Sequence, residues 1–173
     1  MNVKKLLSIL CLVLLVSCSP GGKVLEGPFL IRDGITYDQK TNKPITGNTE
    51  TFHENGQLKQ KGNYKNGKEI SKTTFTYYDH GQLRYVENFK DGEPSGLQEI
   101  YYIDGQLEEK INFKNGVPHG DLVVFYENGQ LEQKIKYKNG NPEGKWRDYN
   151  EDGKERSWSP RCFENGELVD CEN

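Results

Sequence analysis

The chain has 173 residues and a formal net charge of −3, and only 33% of it is hydrophobic, against 19 glycines and 10 tyrosines. So little apolar material argues against a thick layered core and for a thin β structure. Without the first seventeen residues the balance is 21 basic against 26 acidic side chains, which argues against a nucleic-acid partner.

The chain opens with Lys4 and Lys5, then an apolar run from Leu6 to Val16 closed by the small Ser17. That run falls short of the roughly 20 residues a membrane-spanning helix needs, and its layout is that of a cleaved export signal over residues 1–17. Leu15-Val16-Ser17-Cys18 resembles the lipobox of bacterial lipoproteins. The resemblance implies cleavage between Ser17 and Cys18 and a lipid on the Cys18 thiol. Ser19 after that cysteine implies the outer membrane in a Gram-negative cell; otherwise the expected site is the outer face of the plasma membrane. Residues 18–32, beginning Ser19-Pro20-Gly21-Gly22-Lys23, read as a lipidated flexible tether.

From residue 33 to 158 the sequence repeats with a period of about 24 residues. Gly-Gln-Leu recurs at Gly56, Gly81, Gly105 and Gly129, at intervals of 25, 24 and 24. A second turn signal keeps step at Asn66-Gly67, Asp91-Gly92, Asn115-Gly116 and Asn139-Gly140. A third glycine series, Gly47, Gly96, Gly120 and Gly144, shares the register, with Ser71 where one glycine is missing and one extra residue between Ser71 and Tyr77. Asn-Gly and Asp-Gly supply positive φ cheaply, so each unit reads as strand, turn, strand, turn. Leu107, Ile111 and Phe113 alternate with Glu108, Lys110 and Asn112, and Leu131, Ile135 and Tyr137 repeat the pattern. Gly62 and Glu87 stand in the isoleucine column of the earlier units, which predicts weaker burial or a bulge there. Phe52, Tyr77, Tyr101, Phe125 and Tyr149 form an aromatic column expected to stack across the sheet with other side chains between. The expected fold is all-β, an elongated, twisted antiparallel meander of tandem hairpins.

The strings YKNGNPEGKWRDYNEDG (137–153), FKNGVPHGDLVVFYENGQL (113–131) and YDQKTNKPITG (37–47) resemble the bacterial variant of the MORN repeat, often labelled a YwqK-family antitoxin component. The resemblance covers about Asp33 to Trp158. It implies a meandering all-β sheet, and its label suggests a toxin as one possible partner.

Residues 159–173 read as a cap hairpin, Cys162 and Cys171 flanking Asn165-Gly166. In an exported chain these two cysteines are expected to form a disulfide, since Cys18 carries lipid and Cys11 leaves with the signal. A two-residue turn sets Cys162 opposite Val169, so the bridge needs a longer loop or a diagonal contact.

Two surface series are candidates for binding. Lys65, Lys90, Lys114 and Lys138 each precede a turn by one residue, a row suited to an anionic surface or to protecting an exposed strand. Tyr78, Tyr102 and Tyr126 follow the aromatic column on the opposite face and are expected to be strand-forming residues with half-buried rings, the alternative being a stripe that binds glycan or protein. His53, His80 and His119 share no repeat column, so no metal site is expected. Glu99, Glu109 and Asp148 are not set apart by local context as a hydrolytic pair, and no cofactor motif or small-molecule substrate site is evident. The sequence therefore predicts a non-enzymatic, membrane-anchored binding or scaffold module that meets an envelope protein or polymer, the alternative being an antitoxin or immunity-like protein.

Overall fold

The computed structural model describes residues 24–171; the apolar run from Leu6 to Val16, Ser17 and Cys18 lie outside the described residues. Its strands are set by turns. Six Asx-Gly pairs take positive φ at both positions, with Asn66 at 51° and Gly67 at 78° typical, and Asp33-Gly34 and Asn165-Gly166 joining the four of the repeat series. Two consecutive positive φ values match the twist of the flanking strands, so each pair closes a tight hairpin.

The N-terminal part holds β1 (Val24–Leu25), β2 (Phe29–Arg32) and β3 (Ile35–Asp38). The repeats then contribute β4 (Gly47–Phe52), β5 (Leu58–Lys65), β6 (Lys68–Tyr77), β7 (Leu83–Lys90), β8 (Glu93–Pro94), β9 (Gly96–Tyr101), β10 (Leu107–Lys114), β11 (Val117–Phe125), β12 (Leu131–Lys138) and β13 (Asn141–Asp148). The cap adds β14 (Arg161–Glu164) and β15 (Glu167–Val169). From β4 to β15 consecutive strands pair antiparallel, with β8 a short branch on β7 and β1 parallel to β4 at the edge. The meander is thus as expected, but the stretch read as a tether already contains β1 and β2. Isolated apolar residues such as Val24 and Ile31 gave no periodic signal there. Thr36 and Ile45 explain the order: Thr36 N–H donates to Gly67 O (2.8 Å), Ile45 N–H to Thr36 O (3.1 Å) and Gly67 N–H to Ile45 O (2.7 Å), fastening the β2–β3 hairpin to the first repeat turn.

The sheet is one layer thick, and its well-populated contacts are all between neighbouring strands. Ile135, opposite Leu122, is the only large side chain completely buried among the described residues. The rest of the buried apolar set is Ile45, Val123 and Cys162. Toward the N-terminus the isoleucine column turns polar: Glu87 accepts a hydrogen bond from Thr74 Oγ1 (3.4 Å), and Gly62 leaves room for Tyr64, whose ring a Cβ there would meet at 2.8 Å. The aromatic column does not stack. Phe52 is 57% exposed, and no ring contact joins Tyr77, Tyr101, Phe125 and Tyr149 to one another among the described residues. Two strand spacings, about 10 Å, separate these rings.

At the far end Cys162 pairs with Val169 across the last turn, as its two-residue length requires. Cys171 lies beyond the strand and reaches back diagonally to a Cα separation of 5.2 Å, closing the disulfide. A loop of that size contributes about 2–3 kcal/mol in the chain-entropy view.

Two turn glycines in equivalent positions should respond differently to alanine. At Gly92 a Cβ meets nothing within 4 Å, so Gly92→Ala bears only the cost of positive φ, about 1–2 kcal/mol. At Gly67 the same Cβ would lie 2.4 Å from Ile35 Cγ2 and 2.8 Å from the Thr36 carbonyl. Gly67→Ala is therefore expected to lower the midpoint of urea unfolding clearly further than Gly92→Ala. Equal shifts would show that the β2–β3 hairpin is not fastened at this turn.

Candidate functional site

The Asx-Gly turns form one long rim of the sheet, and each is tied to the unit before it. Gly116, Gly140 and Gly166 N–H groups donate to the carbonyls of Pro94, Pro118 and Pro142 at 2.8 to 3.1 Å, and Asp91 N–H donates to Ile70 O (3.0 Å). Side chains reinforce the same join: Thr46 Oγ1 accepts from Asn66 N–H (2.9 Å), His119 Nδ1 from Asn139 N–H (3.4 Å) and Glu143 Oε2 from Asn165 N–H (3.1 Å). Lys65, Lys90, Lys114 and Lys138 end β5, β7, β10 and β12 on this rim, all exposed. Lys138 pairs with Glu143 at 3.6 Å, while Lys65, Lys90 and Lys114 have no ion-pair partner among the described residues. The spacing between successive lysines, about 10 Å, follows from two strands per unit.

The opposite rim carries the Gly-Gln-Leu turns, three-residue loops whose glycine takes φ near 80–95°. An Asn or Asp just before the glycine accepts the backbone N–H two residues on, as Asn55, Asp104 and Asn128 do for Gln57, Gln106 and Gln130. His80 replaces that residue in the second unit, and its Nε2 lies 3.0 Å from Ile103 O. Tyr78, Tyr102 and Tyr126 open these loops. Rather than forming an outward stripe, they are half-buried, and their hydroxyls donate to the carbonyls of Tyr101, Phe125 and Tyr149, one unit further on, at 2.8, 2.6 and 2.7 Å. Arg156 ends the ladder, donating to Tyr149 O (3.2 Å) and to the Tyr126 hydroxyl (2.7 Å). Alternation along a strand misplaced these rings because the loop's extra residue breaks the period at that point. His53 holds the equivalent position in the first unit, edge-on to Tyr77 with its ring 6.0 Å away.

The charged groups on the broad faces are scattered. Glu99 binds the Tyr101 hydroxyl (3.0 Å) on one face, whereas Glu109 projects from the other, since residues 99 and 110 are cross-strand partners. Glu109 and Asp148 share a row, Glu109–Val124–Gln133–Asp148, but three strand spacings of about 14 Å lie between them, beyond the span of a glycosidase carboxylate pair. Asp148 is 4% exposed and serves the cap: it accepts from Gln133 Nε2 (2.9 Å), Trp146 Nε1 (3.3 Å) and Arg161 (3.0 Å). The Arg161 guanidinium lies 4.0 Å from the Trp146 ring centre and 5.0 Å from that of Trp158. No repeat signal marked this cluster, because Trp158 is the last residue of the periodic part and Arg161 lies beyond it.

Burial pushes the Tyr85 hydroxyl up to about 12, helped by the charge of Glu87, and burial with a hydrogen bond to Glu69 does the same to Tyr64. Burial, followed by the charge of Glu108, also holds Glu109 above the ordinary carboxylate range. Glu109 stands on the apolar side of β10 between Leu107 and Ile111, and its counterpart one unit later is the neutral Gln133. A carboxyl raised on folding binds its proton more tightly in the native state, so its contribution is favourable at low pH and is lost as pH rises through the native value. At neutral pH the ionised group is a net cost. Glu109→Gln is expected to raise the thermal midpoint at pH 7, with the gain fading below about pH 4, where the wild-type group is protonated. Identical midpoints at pH 7 would refute this account of the position.

Comparison with protein-family models matches the MORN repeat variant at residues 45–66, 72–91, 94–115 and 118–139. Each matched segment is one hairpin, ending on the first residue of an Asx-Gly turn: Asn66, Asp91, Asn115 and Asn139. A comparison with curated proteins finds no match. Arrays of this repeat generally act as non-catalytic binding modules. With four tandem matches falling on four successive hairpins of one sheet, the chain is a MORN-repeat protein.

Proposed function

We propose that the chain is a non-enzymatic lipoprotein of a bacterial cell envelope, anchored through lipid on Cys18, whose repeat surface meets an envelope protein or polymer. Its place is the outer membrane of a Gram-negative cell, or otherwise the outer face of the plasma membrane. The observation that carries the binding role is the rim of Lys65, Lys90 and Lys114, whose charges project unpaired from turns hydrogen-bonded unit to unit. Charges on a backbone fixed in this way present a pattern to a partner without first having to be ordered. The anchor rests on the lipobox-like Leu15-Val16-Ser17-Cys18. A diacylated cysteine holds firmly because each buried methylene contributes about 0.8 kcal/mol.

A photo-crosslinking residue at position 114 of the full chain, in cells, tests both parts when read beside a Cys18→Ala variant. The expected result is that the parent fractionates with membranes and crosslinks to an envelope protein or polymer, while Cys18→Ala is released. A Cys18→Ala chain that is processed yet still membrane-bound overturns the anchor. Recovery of a single toxic protein would replace the scaffold reading with the antitoxin one, and adducts only with lipid and with itself would sink both.

A further inference from the structure

The one break in the repeat coincides with a concavity. Ser71 stands where the other units have a positive-φ glycine, and it does without that conformation. The second matched repeat starts only at Lys72, whereas the others start two residues ahead of their glycine. On the next strands, β7 and β9 pair through only two positions, Tyr85–Ile100 and Val86–Glu99, and Asn88 Nδ2 instead bonds the Leu97 carbonyl. Here the sheet encloses a hollow of about 670 Å³ over β4 to β7.

Cross-strand partners share a face, so the rows Asn48–Asn63–Ser71–Lys90 and Glu50–Lys61–Thr73–Asn88 line the hollow together. The row between them, Thr49–Gly62–Lys72–Phe89, points to the other side, where the Tyr64 ring covers Gly62 and Lys72 lies over Phe89. Its charges come in balance: Glu50 and Lys61 neutralise each other at 3.4 Å, Lys90 and Asp91 stand side by side in the lining, and Lys72 pairs with Glu69 at 3.6 Å, while Val24 and Ile70 add apolar surface. Thr73 Oγ1 donates to Asn88 Oδ1 (2.7 Å), fixing that wall, while the side chains of Asn63 and Ser71 are without hydrogen-bond partners among the described residues. Lys61 recurs as Lys110 and Lys134 in the later units, but the place of Asn63 is taken in the fourth unit by Lys136, a long cationic chain on the same face.

These features select a ligand class. An apolar ligand would strip water from amides and hydroxyls without replacing their hydrogen bonds, at a cost of roughly 1–3 kcal/mol for each group left unpaired. A lining whose charges balance, Lys61 and Lys90 against Glu50 and Asp91, gives no net advantage to a polyanion or polycation. An extended peptide is best held by a free strand edge, and the floor here is made of strands already paired. What fits is a neutral ligand dense in donors and acceptors, and the volume is that of a small-molecule or short-oligomer site. We propose that the hollow over β4 to β7 binds a neutral polysaccharide chain, with Asn63, Ser71, Thr73 and Asn88 as its hydrogen-bonding residues. The proposal deepens the envelope reading by naming the polymer class, and rests on that reading only for the compartment in which the polymer is met.

The test is a titration of the full chain, in a detergent without sugar head groups, with cellotetraose and chitotetraose, followed by amide NMR. Saturable shifts confined to Asn63, Ser71, Thr73 and Asn88 are expected. Asn63→Lys places in the hollow the residue that the fourth unit already carries there, so the fold is retained, and affinity should fall by roughly tenfold or more. Ser71→Gln should reproduce the loss from the neighbouring strand, and Lys136→Asn should change nothing. Absence of binding at millimolar sugar, binding indifferent to both hollow variants, or preferential binding of polyglutamate or of an unstructured peptide at this face would each overturn the proposal. Fractionation of Cys18→Ala reads the anchor and this titration reads the hollow, so either can fail alone.

Discussion

A sheet one layer thick has no interior, so each unit can be held only by its two neighbours. The hydrogen bonds that cross between units bear this out on both rims. On one, turn glycines donate their N–H groups to carbonyls of the preceding unit, as Gly140 does to Pro118. On the other, Tyr78, Tyr102 and Tyr126 reach forward to the next unit, and Gln57 Nε2 donates to Gly81 O (2.7 Å) beside them. A neutral hydrogen bond contributes about 0.5–1.5 kcal/mol, so the array is held by many modest joins and its stability is close to a sum over neighbours. Such an array is weakest at its ends. Here the β2–β3 hairpin is tied to Gly67 at the first end, while Asp148, Arg161, two tryptophans and the disulfide close the other.

The glycines made most of this fold legible. Positive-φ glycines in the tight turn, at the bulge and in the longer loop, three in each unit except where Ser71 replaces one, are positions where a side chain is strained, and their intervals set strand count and order directly. What the sequence concealed lay where alternation stops applying. Tyr78, Tyr102 and Tyr126 sit at the mouths of bulged loops, so a period of two assigned them to a free face when their hydroxyls in fact join the units. Glu109 was passed over among the solvated carboxylates, although strict alternation sets it between Leu107 and Ile111. Val24 and Phe29 had no repeat partners from which pairing could be read, and β1 joins β4 across an intervening hairpin.

The units are alike in backbone but not in what their faces carry. Along the isoleucine column the series Gly62, Glu87, Ile111, Ile135 ends in the one large side chain that is fully buried among the described residues. On the reverse face the series runs from Asn63, which lines the hollow, to the long cationic Lys136. The late units and the cap thus supply cohesion, while the early units leave donors and acceptors unused.

That division has a direction relative to the proposed anchor. The hollow is walled in part by Val24, the first described residue and part of the edge strand beside β4. Between Cys18 and Val24 the chain can span at most about 20 Å, since an extended residue covers roughly 3.3–3.6 Å. A lipid on Cys18 would therefore hold the early units close to the bilayer and let the later ones extend away from it. The polar hollow would then lie beside the membrane, where a polymer lying along the surface would meet it. The lysine rim, running the length of the array, would continue that contact outward from the surface.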